Sequence, residues 1–541
     1  MYKSDKNIEE KKEKLKSFIK DKSFISLAIL LIISFILRVY YLFEAGNQPM
    51  WWDEAEYMST AKYWGLGVPY DINPQRPPLF QLLAAFLIKI GFTEIWLKFV
   101  LVVLPSVLIV FLVYLLGKEM FNKRIALFSA IGTAFIWSLI FWSIRFQPDF
   151  FSLSFQLLSI LFFWKLFKKD KKSHAIFAGS FAALAFYFKI SALLVPLSIF
   201  LFILYKDGLK FLRIKNYWIC LLSFLITMLP FAIWQYILFG NPTAFAPSYI
   251  GGAGIGQGWD FGWMTLNYFY YFPKFIFFIM FIIGISYVSF NILMSFDLMI
   301  KDKKYRLDPW VLSLIFLIVI ALFYIFYIRG IFIEDRWVFL FIPFIMFFSS
   351  KGLDLIYNSA TKYGKQVSII LIIVIFGIFI YAQINHTDDL INAKKDSYLP
   401  VKEASLLIKE ISEPDESILS VSYTQTTAYS EREVHTYSGL SYENFTKILS
   451  EEKPSYLIVS ILEPHHPPWI IQQGNTQDGN YAVIMPYFNS TIIISQQNQL
   501  LLYDVKREIL IDNEYAFELI YPTNGFNGLF AYKINYISES L

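Results

Sequence analysis

The amino-acid sequence predicts a polytopic α-helical membrane protein of about eleven spans that continues into a C-terminal extracytoplasmic α/β domain. Three observations predict it: an apolar composition, a succession of runs long enough to cross a bilayer, and a one-sided distribution of Lys and Arg. Of 541 residues, 56% are hydrophobic, 19% aromatic and 17% charged, whereas soluble domains run about 45–50% apolar and about 25% charged. With a mean hydropathy of +0.49, the chain cannot cover itself with a water-facing shell. Soluble multidomain, disordered and collagen-like organisations are thereby excluded. The single cysteine, Cys220, lies inside an apolar run, so no disulfide framework is available and redox chemistry is not indicated.

Taken in order, residues 1–23 form a basic, hydrophilic tail expected in the cytoplasm. The run from Phe24 to Phe43 is long enough to cross a bilayer and lacks the small residues of a cleavage site, so it reads as a retained first span. Further spans are expected at about 96–117, 125–143, 150–167, 175–188, 190–205, 217–239, 274–297, 309–328, 336–350 and 367–383. Lys189 interrupts one long apolar run, which reads either as two spans or as one tilted or broken helix. The run from Leu79 to Ile90 is too short to span and is expected to lie along the interface. Residues 24–383 thus form the multi-span domain.

Sidedness follows from the positive-inside rule. Alternate loops carry Lys118, Lys123 and Arg124, then Lys165, Lys168, Lys169, Lys171 and Lys172, then Lys206, Lys210, Arg213 and Lys215, and later Lys301, Lys303, Lys304 and Arg306. The opposite loops are poor in basic charge: the stretch from Glu44 to Ile95 holds only Lys62, Arg76 and Lys89. The N-terminus is therefore expected in the cytoplasm, the protein in the cell membrane, and residues 384–541 outside. No nucleic-acid partner is expected. Within 384–541, helical stretches (PVKEASLLIKEI, YENFTKIL) alternate with strand-like ones (ESILSVS, YLIVSIL), which favours a partly parallel sheet. Sequons at Asn385, Asn444 and Asn489 agree with an outer location.

Ionisable residues at membrane depth are costly and so mark function. On the outer side they are Asp53, Glu54 and Glu56 in WWDEAEY, Arg76 in QRPPLF, Arg145 and Asp149 in RFQPDF, Lys189 in YFKIS, and Arg329, Glu334, Asp335 and Arg336 in IRGIFIEDRW. A carboxylate among aromatics can serve as general base toward a hydroxyl or amine, while Arg and Lys hold a phosphate leaving group. Such a set suits group transfer from a phosphate-bearing lipid. Against it stand plainer roles: helix N-capping or a surface carboxylate pair for Asp53 and Glu54, and snorkelling to the headgroups for Lys189 and Arg336.

In these residues the chain resembles the integral-membrane glycosyltransferases of the GT-C superfamily, in glycosyltransferase family 39, which includes the protein O-mannosyltransferases and the aminoarabinose transferase of lipid A. The resemblance rests on the pair Asp53 and Glu54, the motif Arg76-Pro77-Pro78-Leu79, Asp149 at the opening of a span, and Arg336-Trp337 at the opening of a late one. It implies inverting transfer of a sugar from a polyprenyl- or dolichyl-phosphate carrier to a lipid, glycan or protein acceptor. By that reading Asp53 is the base that activates the acceptor and Asp149 helps to position or activate it. Arg76 and Arg336 contact the carrier phosphate, and Lys189 and Glu54 belong to the substrate-binding set. The resemblance implies no required cofactor and no tightly bound metal; were a divalent cation to take part, Glu54 would be the residue for it. Trp337 stands where some relatives have tyrosine, and indole donates but cannot accept.

Three more features carry expectations. The loop with five glycines between Gly251 and Gly258 follows no strand, so it reads as a lid and not as a nucleotide cradle. In EPHHPPWI, Glu463, His465 and His466 could suggest a metal site, but adjacent histidines diverge and acceptor contact is the better reading. WWD matches a motif of oligosaccharyltransferase catalytic subunits, yet there it belongs to the C-terminal soluble domain, so the match reads as coincidence. The rival class is a lipid or solute transporter, which would place charges near the middle of spans and not at their outer ends.

Overall fold

Each of the eleven predicted spans falls on helical structure in a computed structural model of the protein, which describes residues 22–247, 263–295, 307–327, 334–463, 466–497, 499–512, 514–522 and 527–537. Among the described residues, eight helices are long and apolar enough to cross a membrane: Ser23–Glu44, Glu94–Met120, Asp149–Lys169, Ile190–Arg213, Lys215–Phe239, Lys274–Met294, Asp308–Phe326 and Lys365–Lys394. The other three predicted spans are shorter, broken or more polar. Lys172–Phe186 has 15 residues, about 22 Å at 1.5 Å per residue. Phe341–Ala360 carries Ser349, Ser350, Lys351 and Asp354 and is buried over its first half. The third breaks at Ile136, whose extended backbone separates Lys123–Phe135 from Trp137–Trp142.

By its contacts the chain divides into two compact units, one of Met1–Gly46, Asn73–Phe80 and Thr93–Ala393, the other of Asn47–Ile72, Gln81–Phe92 and Lys394–Leu541. In the first, the breaks in the helices are answered by side chains, because hydrocarbon offers no water to bare backbone groups. At Ile136 the freed N–H of Trp137 donates to Gln383 Oε1 at 2.8 Å, and Gln383 Nε2 donates to Phe272 O at 2.9 Å. Pro230, inside Lys215–Phe239, disturbs the helical ladder at Phe231. There the hydroxyl of Tyr187 accepts from Phe231 N and donates to Thr227 O, both at 2.9 Å. The long apolar run also parts at Lys189, which is extended between Phe186 and the 3₁₀ turn Ile190–Leu193, so it forms two helices.

Close helix crossings rest on glycine. A Cβ on Gly284 would stand 1.9 Å from Phe348 O, and one on Gly352 would stand 2.1 Å from Met280 O. Lys274–Met294 and Phe341–Ala360 therefore touch backbone to backbone, the small-residue packing expected where lipid supplies no hydrophobic drive.

In the second unit β1 (Ile418–Ser420), β2 (Val434–His435) and β3 (Tyr456–Ser460) pair in parallel in the order β2-β1-β3. The sheet continues antiparallel through β10 (Leu529–Tyr536), β9 (Tyr515–Tyr521) and β8 (Glu508–Ile511), as the partly parallel sheet predicted. A four-stranded antiparallel meander is formed by β4 (Gln472–Asn475), β5 (Tyr481–Met485), β6 (Ser490–Ile494) and β7 (Leu500–Asp504). Helix Leu399–Ile411 buries Val401, Ala404 and Ile408 against the large sheet, and Tyr442–Glu451 buries Phe445 and Leu449. A further helix, Tyr423–Ser430, has no counterpart in the sequence reading. Its sequence YTQTTAYS shows no apolar period, yet Thr424 through Ser430 are buried.

That polar helix receives the acidic segment that follows the first span. Helix Trp52–Leu66 belongs to the same unit and lies on it: Ser59 Oγ donates to Thr424 O at 3.0 Å, Met50 N to the Tyr429 hydroxyl at 2.7 Å, and Lys62 Nζ to Ala428 O at 2.7 Å. The rings of Trp52 and Tyr423 meet edge-on at 5.0 Å. Helix Leu79–Lys89, predicted interfacial, buries Phe80, Ala84 and Ala85 and exposes Leu82 and Phe86.

Glu463 is buried in the second unit, where Gln425 Nε2 donates to Oε1 at 3.2 Å and Tyr398 also bonds to it. Burial pushes its carboxyl from 4.5 up to about 7, against the opposing pull of those two hydrogen bonds. His465 lies outside the described residues, and among those described no group of three or more His, Cys, Asp or Glu could hold a metal ion.

Two measurements check these points. Gly284→Ala should lower stability by about 1–3 kcal/mol in detergent unfolding, whereas Gly377→Ala, with open space around its Cβ, should be neutral or slightly stabilising. Because the folded state favours neutral Glu463, stability is complete below the ordinary value of 4.5 and falls as pH rises through about 7. Glu463→Gln should flatten that decline in a series of melting temperatures against pH.

Candidate active site

Asp149 is the first residue of the helix Asp149–Lys169, directly after Pro148, where proline's fixed φ suits a helix start and the dipole favours an acid. Its side chain is only 3% exposed. A carboxylate so buried needs a cation, and it has Lys189, whose Nζ donates to Oδ1. Lys189 Nζ also donates to the backbone carbonyl of Arg336 at 3.2 Å. Arg336 in turn sends Nη1 to Gln147 Oε1 at 2.8 Å and Nε to Glu334, and Nη1 stands 4.0 Å from Asp149 Oδ2. Asp149 Oδ2 is buried and accepts no hydrogen bond among the described residues.

Arg336 rides on the 3₁₀ turn Asp335–Val338, which a neighbouring acid fastens. The Asp335 carboxylate accepts from Ser138 Oγ and, at 2.9 Å to each oxygen, from Trp142 Nε1. The Arg336 guanidinium lies over the Trp142 ring at 5.2 Å, a cation–π contact that a buried guanidinium can use in place of water. Asp149, Lys189, Arg336, Trp337, Gln156 and Leu153 line a narrow cavity.

The motif Arg76-Pro77-Pro78-Leu79 belongs to the same unit. Gln75 N and Arg76 N both turn back onto Asn73, and Leu79 N donates to Tyr187 O at 3.3 Å, two residues before Lys189. Gln235 Nε2 holds Pro74 O at 3.1 Å, and the Phe80 ring packs on Phe146 at 4.8 Å. The backbone of this segment is thus fixed on the strands of chain that bear Lys189 and Gln147.

Of the predicted site residues, the structure brings Asp149, Lys189 and Arg336 together. Asp53 and Glu54 belong to the other compact unit. There Asp53 is half-buried in the first turn of Trp52–Leu66, and Glu54 Oε2 accepts the Trp51 N–H at 2.9 Å, so Glu54 closes the helix start as a capping glutamate does. Gln147, Ser138 and Trp142 escaped the sequence reading. Gln147 is uncharged, and its one signal was its place between Arg145 and Asp149. The glycine-rich loop Gly251 to Gly258 and Arg329 lie outside the described residues.

Residues 75–234 match a family model described as dolichyl-phosphate-mannose-protein mannosyltransferase. No curated protein matches the chain in sequence. Among solved structures, ArnT from Cupriavidus metallidurans bound to undecaprenyl phosphate aligns with a TM-score of 0.58 at 13% identity, over 81% of this chain and 92% of that one. The Archaeoglobus fulgidus oligosaccharyltransferase tethered with an acceptor peptide containing the NVT sequon gives 0.56 at 14%, over 88% and 76%. AglB from that archaeon, in complex with an inhibitory peptide and a dolichol-phosphate, gives 0.54 at 14%, again over 88% and 76%. The fold is that of the GT-C membrane glycosyltransferases, which bears out the resemblance read from the sequence.

The pairing of Asp149 with Lys189 makes a thermodynamic prediction. Lys189→Met, which leaves a buried carboxylate without its ammonium, should cost about 3–5 kcal/mol, and Asp149→Asn a comparable amount. The double variant should recover a large part of the sum, as a double-mutant cycle on thermal unfolding would register.

Proposed function

We propose that this protein transfers a sugar from a polyprenyl- or dolichyl-phosphate carrier to an acceptor on the outer face of the cell membrane, with its N-terminus in the cytoplasm. The observation that carries the reading is the pair of cations, Lys189 and Arg336, gathered on the buried carboxylate of Asp149 at a cavity beside the fixed Arg-Pro-Pro-Leu segment. Phosphate departing from the anomeric carbon develops charge on its oxygens. Preorganised cations in a water-poor site stabilise that charge far better than water-exposed ones do.

In this reading the acceptor hydroxyl or amine attacks the anomeric carbon from the face opposite the phosphate, the bond to the phosphate oxygen breaks, and configuration inverts. Asp53 takes the acceptor's proton, a role suited to a partly exposed carboxylate in the first turn of a helix. Lys189, Arg336 and Arg76 receive the phosphate. Asp149 keeps Lys189 and Arg336 in register, and its Oδ2 is available to orient the acceptor. Glu54, engaged with the Trp51 N–H, supports the Asp53 turn, and no step calls for a divalent cation.

Purified protein in vesicles, given a radiolabelled polyprenyl-phosphate sugar and a panel of lipid, glycan and peptide acceptors, tests the assignment. Asp53→Asn and Asp149→Asn should each reduce kcat by about 10²–10⁴. Arg76→Ala and Arg336→Gln should lower kcat as well as raise KM for the donor, because the charge they hold grows in the transition state, while leaving acceptor KM near wild type. Undiminished turnover by Asp53→Asn would remove it as the base, and lipid movement without transfer would make the protein a transporter.

A further inference from the structure

A second, larger cavity of about 360 Å³ lies in the membrane unit, lined among others by Ser159, Phe163, Ala182, Ile199, Tyr217 and Trp218. It is toward the lower end of the sizes that hold small ligands, commonly about 300–1,000 Å³. Ser159 is ten residues beyond Asp149 on the helix Asp149–Lys169, about 15 Å along its axis, so the cavity is displaced from the charged cluster toward the opposite end of the bundle. Its lining is almost wholly apolar, which suits a hydrocarbon chain and offers nothing to a sugar or a phosphate.

The chemistry changes at its mouth. The 3₁₀ turn Gly208–Arg213 contributes Phe211 and Leu212 to the lining. Side chains three apart on such a turn eclipse one another, so Lys210 and Arg213 share one side, and Leu209 and Leu212, 78% and 51% exposed, share another. Lys215 follows two residues later. All three cations are exposed, and among the described residues none has an acidic partner, in contrast to Lys206, which pairs with Asp308 at 2.8 Å. Trp218, an aromatic of the kind found at membrane interfaces, donates Nε1 to Leu212 O at 2.9 Å and fixes the turn to the cavity wall.

An apolar chamber that opens beneath three exposed cations, with the carboxylates of Asp207 and Asp170 engaged by Tyr217 and Asn216, is complementary to one amphiphile, a lipid with a hydrocarbon tail and an anionic head. We propose that the cavity binds an acyl chain of an anionic phospholipid from the leaflet that faces the basic loops, with Lys210, Arg213 and Lys215 on its phosphate. This goes beyond the transfer reaction, whose carrier phosphate is assigned to the other end of the bundle. A donor bound there has no use for these cations.

The test uses the full chain in vesicles containing phosphatidylglycerol with a photoactivatable group on its acyl chain, or the matching phosphatidylcholine. Phosphatidylglycerol should label peptides bearing Phe163, Ile199 and Trp218, in preference to phosphatidylcholine. Labelling should fall at least tenfold in the triple variant Lys210→Gln, Arg213→Gln, Lys215→Gln, since each basic residue near anionic lipid strengthens attraction by roughly fivefold. Ala182→Phe, which fills the chamber, should abolish it. Should that variant fail to fold, the triple variant, confined to exposed side chains, still decides. Equal labelling by the two lipids, labelling indifferent to the triple variant, or displacement by excess polyprenyl phosphate would each overturn the proposal, the last by making the chamber part of the donor site.

Discussion

A carboxylate inside an apolar bundle must have its charge answered, and the pairing of Asp149 with Lys189 is the interaction around which the membrane unit is arranged. Moving either ion alone from water into such surroundings costs several kcal/mol. The chain therefore has to break its helices where it can bring the partners together. Lys189 reaches Asp149 because the apolar run parts between Phe186 and Ile190, and Arg336 reaches both because it sits on a short turn and not within a long helix. The same rule operates away from the site. Arg38, in the middle of the first helix, donates Nη1 to the hydroxyl and carbonyl of Ser34 and to Ala134 O. Arg124 finds Asp354 at 2.8 Å, and buried Lys98 finds Glu94 at 2.7 Å.

Uncharged breaks follow the same logic at lower cost. The Tyr187 hydroxyl stands in for the helical bond lost near Pro230, while its backbone carbonyl holds Leu79. One residue thus repairs a span, anchors the Arg-Pro-Pro-Leu segment and precedes Lys189 by two positions. Structural repair and site construction are not separable here: the irregular backbone that lets a polar group into the bundle is also what aims it. This is why irregular segments at membrane depth tend to line cavities and not lipid.

The spans were legible because crossing hydrocarbon requires length and apolarity, and both are local properties of a sequence. Lys189 stood out for the same reason, as a charge interrupting an apolar run, and Asp149 as an acid opening a span, but their pairing was not legible, since it depends on how two helices pack. Three predicted spans are shorter, broken or more polar than the rest because burial inside protein permits what lipid does not. Phe341–Ala360 keeps Ser350 against Ser129 Oγ at 2.8 Å, and its serines dilute its hydropathy without exposing them. In the second unit, Tyr423–Ser430 was invisible because Thr424 to Ser430 satisfy their hydroxyls on the helix itself or on near neighbours such as Ser420. A polar helix of that kind has no amphipathic stripe to detect. That Trp52–Leu66 belongs with the C-terminal segment is a long-range fact that no local pattern encodes.

The 3₁₀ turn at Asp335 explains how one short segment can serve opposite demands. With three residues per turn, neighbouring side chains diverge widely, so Asp335 and Arg336 need not neutralise each other. Asp335 faces Ser138 and Trp142 and fastens the turn, while Arg336 faces Gln147 and Asp149 and serves the cavity. The carbonyl of Trp337 is held from a third direction by the Tyr324 hydroxyl at 2.7 Å. An α-helix would have placed Arg336 on a broad face shared with residues three and four away and buried its neighbours' charges beside it. A turn fixed at three points presents one cation and keeps Asp335 occupied elsewhere, so the charge at the cavity is set by Arg336 and Lys189 against Asp149 and Glu334.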